Sequence, residues 1–125
     1  MRLLIDSNAF IWAYVRPAEL STAARRAIDD PAHDRFVSIA AIWEICIKLS
    51  TGKLSMPGGP SGAIEDLALD VLPISLEHSM RVQHLPHHHR DPFDRMMIAQ
   101  AMEEGLTIVT RDRQFQAYGI PLLIA

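Results

Sequence analysis

The chain has 125 residues, of which 49% are hydrophobic and 22% charged, with a formal net charge of −3. That length suits one domain over 1–125 and excludes two, while the apolar content excludes disorder. No apolar run approaches the roughly 18 to 20 residues of a membrane span, and the mildly acidic total excludes a histone-like nucleic-acid binder.

Asp6 interrupts the first apolar run too early for a secretory leader. The single cysteine, Cys46, lies in an apolar helical pattern and reads as a buried core thiol. With no partner for a disulfide, a reducing cytoplasm is the expected compartment.

Taken in order, Leu3-Leu4-Ile5 reads as a strand buried on both faces, closed by Asp6 and followed by Ser7 and Asn8. Ala9–Val15 fits a buried helix that Arg16-Pro17 ends. A second helix runs from a cap at Ser21 or Thr22 to Asp29 or Asp30, and Phe36-Val37-Ser38 is a short strand. Ile39–Ser50 is apolar nearly all round and reads as a core helix stopped by Gly52. Its odd member is Glu44, which either faces solvent on a narrow polar stripe with Lys48 or points into a charged site.

Met56–Gly62 reads as a loop and Ala63–Leu69 as a short helix with Glu65, Asp66 and Asp70 in solvent. Val71–Ile74 is a strand that Pro73 places at a sheet edge, and Ser75 caps a helix over Leu76–Leu85. After the loop Pro86–Arg90, Asp91 and Pro92 open the longest helix, which runs to Glu104 and stops at Gly105. Leu106–Val109 is a fourth strand, Gln114–Tyr118 a turn of helix and Leu122–Ile124 a last strand. Strands alternating with helices over short connections predict a three-layer α/β/α sandwich with a mostly parallel central sheet.

In that architecture Asp6, Glu44, Asp94 and Asp112 can all be placed at the carboxyl edge of the sheet, where such folds bind ligands. Converging carboxylates repel without a counter-charge, and a hard cation, Mg²⁺ or Mn²⁺, answers oxygen donors of this kind. An all-carboxylate site with open water positions suits phosphodiester hydrolysis by an activated water. Each acid also has a plainer reading. Asp6 or Ser7 could cap the first helix, Asp94 could favour a helix dipole, Asp91 reads as the cap of its helix, and Asp112 could cap the 114–118 turn. The histidines His84, His87, His88 and His89 read as a solvated loop at the rim, since consecutive residues rarely give zinc its geometry. Met96, Met97 and Met102 read as packing. Ten of the twelve basic residues are Arg, which suits phosphate recognition.

The stretches LLIDSNAFIW, VSIAAIWEICIKLSTGKL, HHRDPFDRMMIAQAMEEGLTIVTRDRQFQAYGI and PLL together resemble a PIN-domain ribonuclease, most nearly the VapC-type toxins of VapBC modules. The resemblance spans essentially the whole chain. It implies a Mg²⁺- or Mn²⁺-dependent endoribonuclease with Asp6, Glu44, Asp94 and Asp112 as its acids. It also implies a homodimer and a small VapB-like antitoxin that inhibits the toxin, DNA being bound only through that antitoxin. Ser7-Asn8 departs from the Thr-His common in such toxins, which bears on substrate detail rather than on the metal site. Ser7, Asn8, Asp91 and Thr110 are expected to support the acids. Arg90, Arg95, Arg111 and Arg113 are expected to contact RNA or the antitoxin, and Trp12, Trp43 and Leu49 to offer apolar surface to the antitoxin. Two rivals are an aspartyl-phosphate enzyme, which would want a second acid two residues after Asp6, and a catalytically silent binding module, which would be expected to have lost an acid.

Overall fold

A computed structural model describes all residues, 1–125. Strand β1 (Arg2–Ile5) lies at the centre of a five-stranded sheet. Its Leu3, Leu4 and Ile5 have no exposed surface, which a strand achieves only when both faces are covered. Helices α1 (Ser7–Val15) and α2 (Thr22–Asp29) lead to β2 (Asp34–Ser38), and α3 (Ile39–Ser50) and α4 (Gly59–Leu67) lead to β3 (Asp70–Leu72). Helices α5 (Leu76–Val82) and α6 (Pro92–Glu104) lead to β4 (Thr107–Thr110), and a 3-10 segment, Arg113–Tyr118, leads to β5 (Leu122–Ile124).

The strand order is β3-β2-β1-β4-β5, with every neighbouring pair parallel. The expected α/β/α sandwich is therefore present, with a sheet that is wholly parallel. Register does the positioning. Ile5 lies opposite both Val37 and Val109, so Asp6, Ser38 and Thr110 emerge side by side at one edge. From β1 the chain turns to β2 on one side, and from β4 to β5 on the other. The crevice between β1 and β4 is where strand order reverses, the place where open parallel sheets hold their ligands.

Ser38 closes β2 and caps α3, its Oγ accepting from the Ala40 amide at 3.0 Å. The same hydroxyl donates to Gln100 Oε1 at 2.5 Å, and Gln100 Nε2 donates to the Pro73 carbonyl at 3.3 Å. This buried relay locks α3, α6 and the exit of β3 together. His78 acts similarly on α5. Its Nδ1 accepts from the Ser75 amide at 3.0 Å while Nε2 reaches Glu104 Oε1 at 2.8 Å.

Several boundaries differ from expectation for local reasons. Helix α1 starts at Ser7 because Asp6 is its cap. Helix α4 starts at Gly59, inside the expected loop, because Pro60 sits in the first turn, where a missing N–H costs nothing. Strand β3 is an edge strand, as Pro73 implied, but ends before that residue. Helix α6 stops at Gly105, whose φ of 66° a side chain would strain.

One expectation fails outright: Cys46 is exposed. Helix α3 turns Ala40, Ala41 and Ile45 inward and presents Ile39, Trp43, Cys46 and Ile47 outward, with Trp43 59% exposed. A helix apolar on every side carries no periodic signal of which face is covered.

A cluster of carboxylates at the strand-order reversal

The residue after β1 is tied in twice. The Asp6 amide donates to the Val109 carbonyl at 3.1 Å, extending the ladder between β1 and β4. Its Oδ1 accepts from the Ala9 amide at 2.9 Å as the cap of α1. Cap and site are thus one residue in two roles, since the same carboxylate also lines a cavity with the other acids. The Thr110 hydroxyl donates to Asp6 and accepts the Asp112 amide at 3.0 Å, coupling the ends of β1 and β4.

Glu44 comes from the second turn of α3. Ser7 Oγ donates to its Oε1 at 2.6 Å, and Lys48 Nζ lies 3.5 Å from its Oε2. Glu44 therefore does not face solvent: only 15% of its side chain is exposed, and it lines the site while keeping its pair with Lys48 one turn on. Asp91 caps α6, its Oδ1 accepting from the Phe93 and Asp94 amides at 2.8 and 3.1 Å. That frees the Asp94 carboxylate from capping, and it faces the same cavity. Asp112 divides its oxygens: Oδ1 caps the 3-10 segment through the Gln114 amide at 2.9 Å, and Oδ2 meets His89 Nε2 at 2.8 Å.

The four acids, with Ser7, Asn8, Asp91, Lys48 and Arg111, enclose about 240 Å³ and admit no hydrophobic residue. Electrostatics record their crowding. Asp6 is raised to about 6, chiefly by burial, opposed by the hydrogen bonds from Thr110 and Ala9 and reinforced by Glu44 and Asp112. Asp94 is raised to about 7, again chiefly by burial, then by Asp91, with Asp6 and Glu44 adding to it and His89 pulling it back. Because the folded state holds protons that the unfolded chain releases above about pH 4, stability without a cation falls as pH rises from about 4 to about 7 and levels off above that. Melting curves in EDTA are expected to show the melting temperature dropping between pH 5 and 8. Saturating divalent cation, which favours the ionised acids, is expected to flatten that slope. The donor set is all oxygen, with no thiol, and suits a hard divalent cation of the Mg²⁺ or Mn²⁺ kind.

Two expectations need correction. His89 does not belong to a solvated loop. His84, His87 and His88 are exposed, but His89 is buried, with Nε2 between Asp112 and Asp94. Arg95 is no surface contact. Its guanidinium is buried and donates to the carbonyls of Val82, Leu85, Pro86 and His89 and to Tyr118 Oη. Arg111 lines the cavity and is anchored at its edge: it stacks 4.2 Å over Trp12, and Nε donates to the Ala125 carbonyl at 3.2 Å. Arg90 and Arg113 are exposed.

Beside the acids lies a larger, mostly apolar groove of about 750 Å³, walled by Trp43, Ile74, Val82, Phe93 and Met96 and edged by Arg90. Trp43 meets Phe93 edge-on at 5.1 Å. Of the other two apolar candidates, Trp12 and Leu49 are half-buried.

Residues 3–121 match the sequence pattern of the PIN domain family. The chain is 28% identical over 124 residues to ribonuclease VapC22 of Mycobacterium tuberculosis, covering 95% of this chain and 93% of that protein. Its fold resembles a chain of the VapBC2 complex from Rickettsia felis, solved with a DNA fragment from its promoter, with a TM-score of 0.75, 13% identity and 98% coverage of both chains. It also resembles M. tuberculosis VapC20, a toxin that cleaves the sarcin-ricin loop, with a TM-score of 0.63, 16% identity and coverage of 94% and 95%.

Proposed function

The chain belongs to the PIN domain family, and from that premise we propose that it is a metal-dependent endoribonuclease, a single domain over 1–125 that serves as the toxin of a toxin–antitoxin module. The observation that carries this reading is the convergence of Asp6, Glu44, Asp94 and Asp112 in one cavity free of hydrophobic side chains. Asp6, Asp94 and Asp112 would hold Mg²⁺ or Mn²⁺. When bound, such an ion lowers the pKa of a water and screens charge on the phosphoryl oxygens.

The chain's own groups supply the rest. Glu44, its Oε1 fixed by Ser7 and its Oε2 by Lys48, is placed to orient the attacking water or to take its proton. Thr110 and Asp91 hold their neighbours in place, and Asn8, exposed at the mouth, offers an amide to the substrate. Arg90, Arg111 and Arg113 are the candidates for phosphate contact. In such a hydrolysis the water oxygen forms a new P–O bond, the P–O bond to the leaving ribose oxygen breaks, and that oxygen takes up a proton.

A VapB-like antitoxin is the proposed partner, supported by the VapBC complex among the similar structures. The apolar groove bearing Trp43 is where its docking is expected. A homodimer and cytoplasmic residence belong to the same proposal. No helix is long and apolar enough to cross a membrane.

The test is cleavage of RNA, including total cellular RNA and tRNA, by purified antitoxin-free protein. With Mg²⁺ or Mn²⁺ present, discrete cuts are expected; EDTA is expected to abolish them, and restoring the ion to restore them. Cuts that persist undiminished in EDTA would remove the metal from the proposal. Intact RNA under every condition, alongside tight antitoxin binding, would leave a binding module.

A further inference from the structure

His89 is turned into the carboxylate cluster by contacts that specify which face of its ring can act. Its Nδ1 accepts the Asp91 amide at 3.2 Å. A ring nitrogen that accepts carries no proton, so the proton of the neutral ring lies on Nε2. That atom stands 2.8 Å from Asp112 Oδ2 and 3.2 Å from Asp94 Oδ2. It meets them with an N–H and has no lone pair free for a cation. His89, Asp94 and Asp112 bring their ligating atoms within 4.8 Å of one another, yet only the two carboxylates can be ligands while Nδ1 is so engaged.

The residue is held from three sides. The His89 amide donates to Tyr118 Oη at 2.9 Å, and that hydroxyl donates to the Pro86 carbonyl at 2.8 Å. Arg95 Nη1 donates to the carbonyls of Pro86, at 2.9 Å, and His89, at 3.4 Å. Phe115 lies edge-on to the imidazole, centroids 5.5 Å apart. Tyr118 and Phe115 belong to the 3-10 segment that Asp112 caps, and Arg95 follows Asp94. The two carboxylates and the group between them are therefore mounted on one framework.

We infer that His89 is a positioning residue of the cation site, its Nε2–H clamping one oxygen each of Asp94 and Asp112 so that the pair is set before a divalent ion arrives. The inference rests on the metal-dependent reading proposed above. Groups that orient metal ligands from behind typically change affinity about 10- to 100-fold when removed.

The experiment measures Mn²⁺ affinity directly, by calorimetry or electron paramagnetic resonance, on the purified protein without RNA. His89→Leu, which removes the donor, is expected to weaken Mn²⁺ binding about 10- to 100-fold. His89→Gln places an amide N–H at the reach of Nε2 and is expected to bind close to wild type. His89→Asn reaches only as far as Nδ1 and is expected to bind as weakly as the leucine variant. Melting temperatures without metal check that each variant is folded, and if the leucine variant is not, the contrast between Gln and Asn decides. Equal affinities across the folded set would overturn the inference, as would a Gln variant as weak as Asn. A wild type that binds no Mn²⁺ would overturn the metal-dependent reading and this inference with it, whereas wild-type binding with insensitive variants overturns the inference alone.

Discussion

Replacing Asp94 with Asn is expected to cut RNA cleavage about 10³-fold or more while raising the melting temperature of the metal-free protein at pH 8. The first effect follows from the proposed ligand role: an ion held there would contribute several kcal/mol to the transition state, each 1.36 kcal/mol being tenfold in rate. The second follows from burial. The Asp94 carboxyl is raised to about 7, so at pH 8 it is mostly ionised beside Asp91, Asp6 and Glu44 and works against the fold. Asn keeps the shape and can still accept from His89. It disturbs no cap, because Asp91 accepts the amides at the start of α6. At pH 5 the native carboxyl is protonated while the unfolded one is still mostly ionised, so the stability advantage of Asn is expected to shrink to a minor part of its value at pH 8. Calorimetric melts at the two pH values, beside a cleavage assay on the same samples, give both readings. Full cleavage by the variant would remove Asp94 from the site. Lost cleavage with a lowered melting temperature at pH 8 would make its role structural instead.

The second large effect belongs to Arg95. Arg95→Ala is expected to lower stability by about 3–4 kcal/mol, or about 10–15 °C in melting temperature. The guanidinium is buried, with no carboxylate against it, and its charge is met by carbonyl dipoles. Two of these, Val82 and Leu85, lie at and just beyond the end of α5, where a cation also suits the helix dipole. Alanine would strand several buried acceptors at once. Lysine lacks the planar fork that reaches Val82, Pro86 and Tyr118 together, so Arg95→Lys is expected to recover only a minor part of the loss. An Arg95→Ala protein that melts like wild type but binds RNA poorly would reinstate the surface role that its neighbours in the sequence suggest.

The contrast between Asp94 and Arg95 shows where sequence reasoning works. The acids lie within a few residues of an element's start or end: Asp6 after β1, Asp112 after β4, Asp94 in the first turn of α6 and Glu44 in the second turn of α3. A parallel sheet brings those positions to one edge whatever the details of packing, so their convergence is legible from order alone. Arg95 is one step further round the helix, about 100° from Asp94, and only the tertiary placement of α5 makes that face an interior one. His89 was hidden differently. It ends a run of three histidines that look alike, and its two exposed neighbours made solvent the natural reading. The available signal was its position two residues before the cap Asp91, where a ring can take the Asp91 amide. The exposure of Cys46 has no signal in the sequence because a helix apolar on all sides does not declare its covered face.

The pairing of β1 with β4 bears on how the protein comes into being. Leu3 is a partner of Thr107, and Ile5 of Val109, so the central strand has its second neighbour only after most of the chain has been synthesised. Loop closure of that span makes this contact a late one in folding. Before it forms, Asp6 has neither the Val109 carbonyl for its amide nor the hydroxyl of Thr110, and Asp112 is not yet beside it. A nascent chain on the ribosome therefore carries Asp6 and Glu44 without their counterparts. The four acids come together only once β4 has paired with β1, so the carboxylate cavity does not exist in a chain that lacks its last strands.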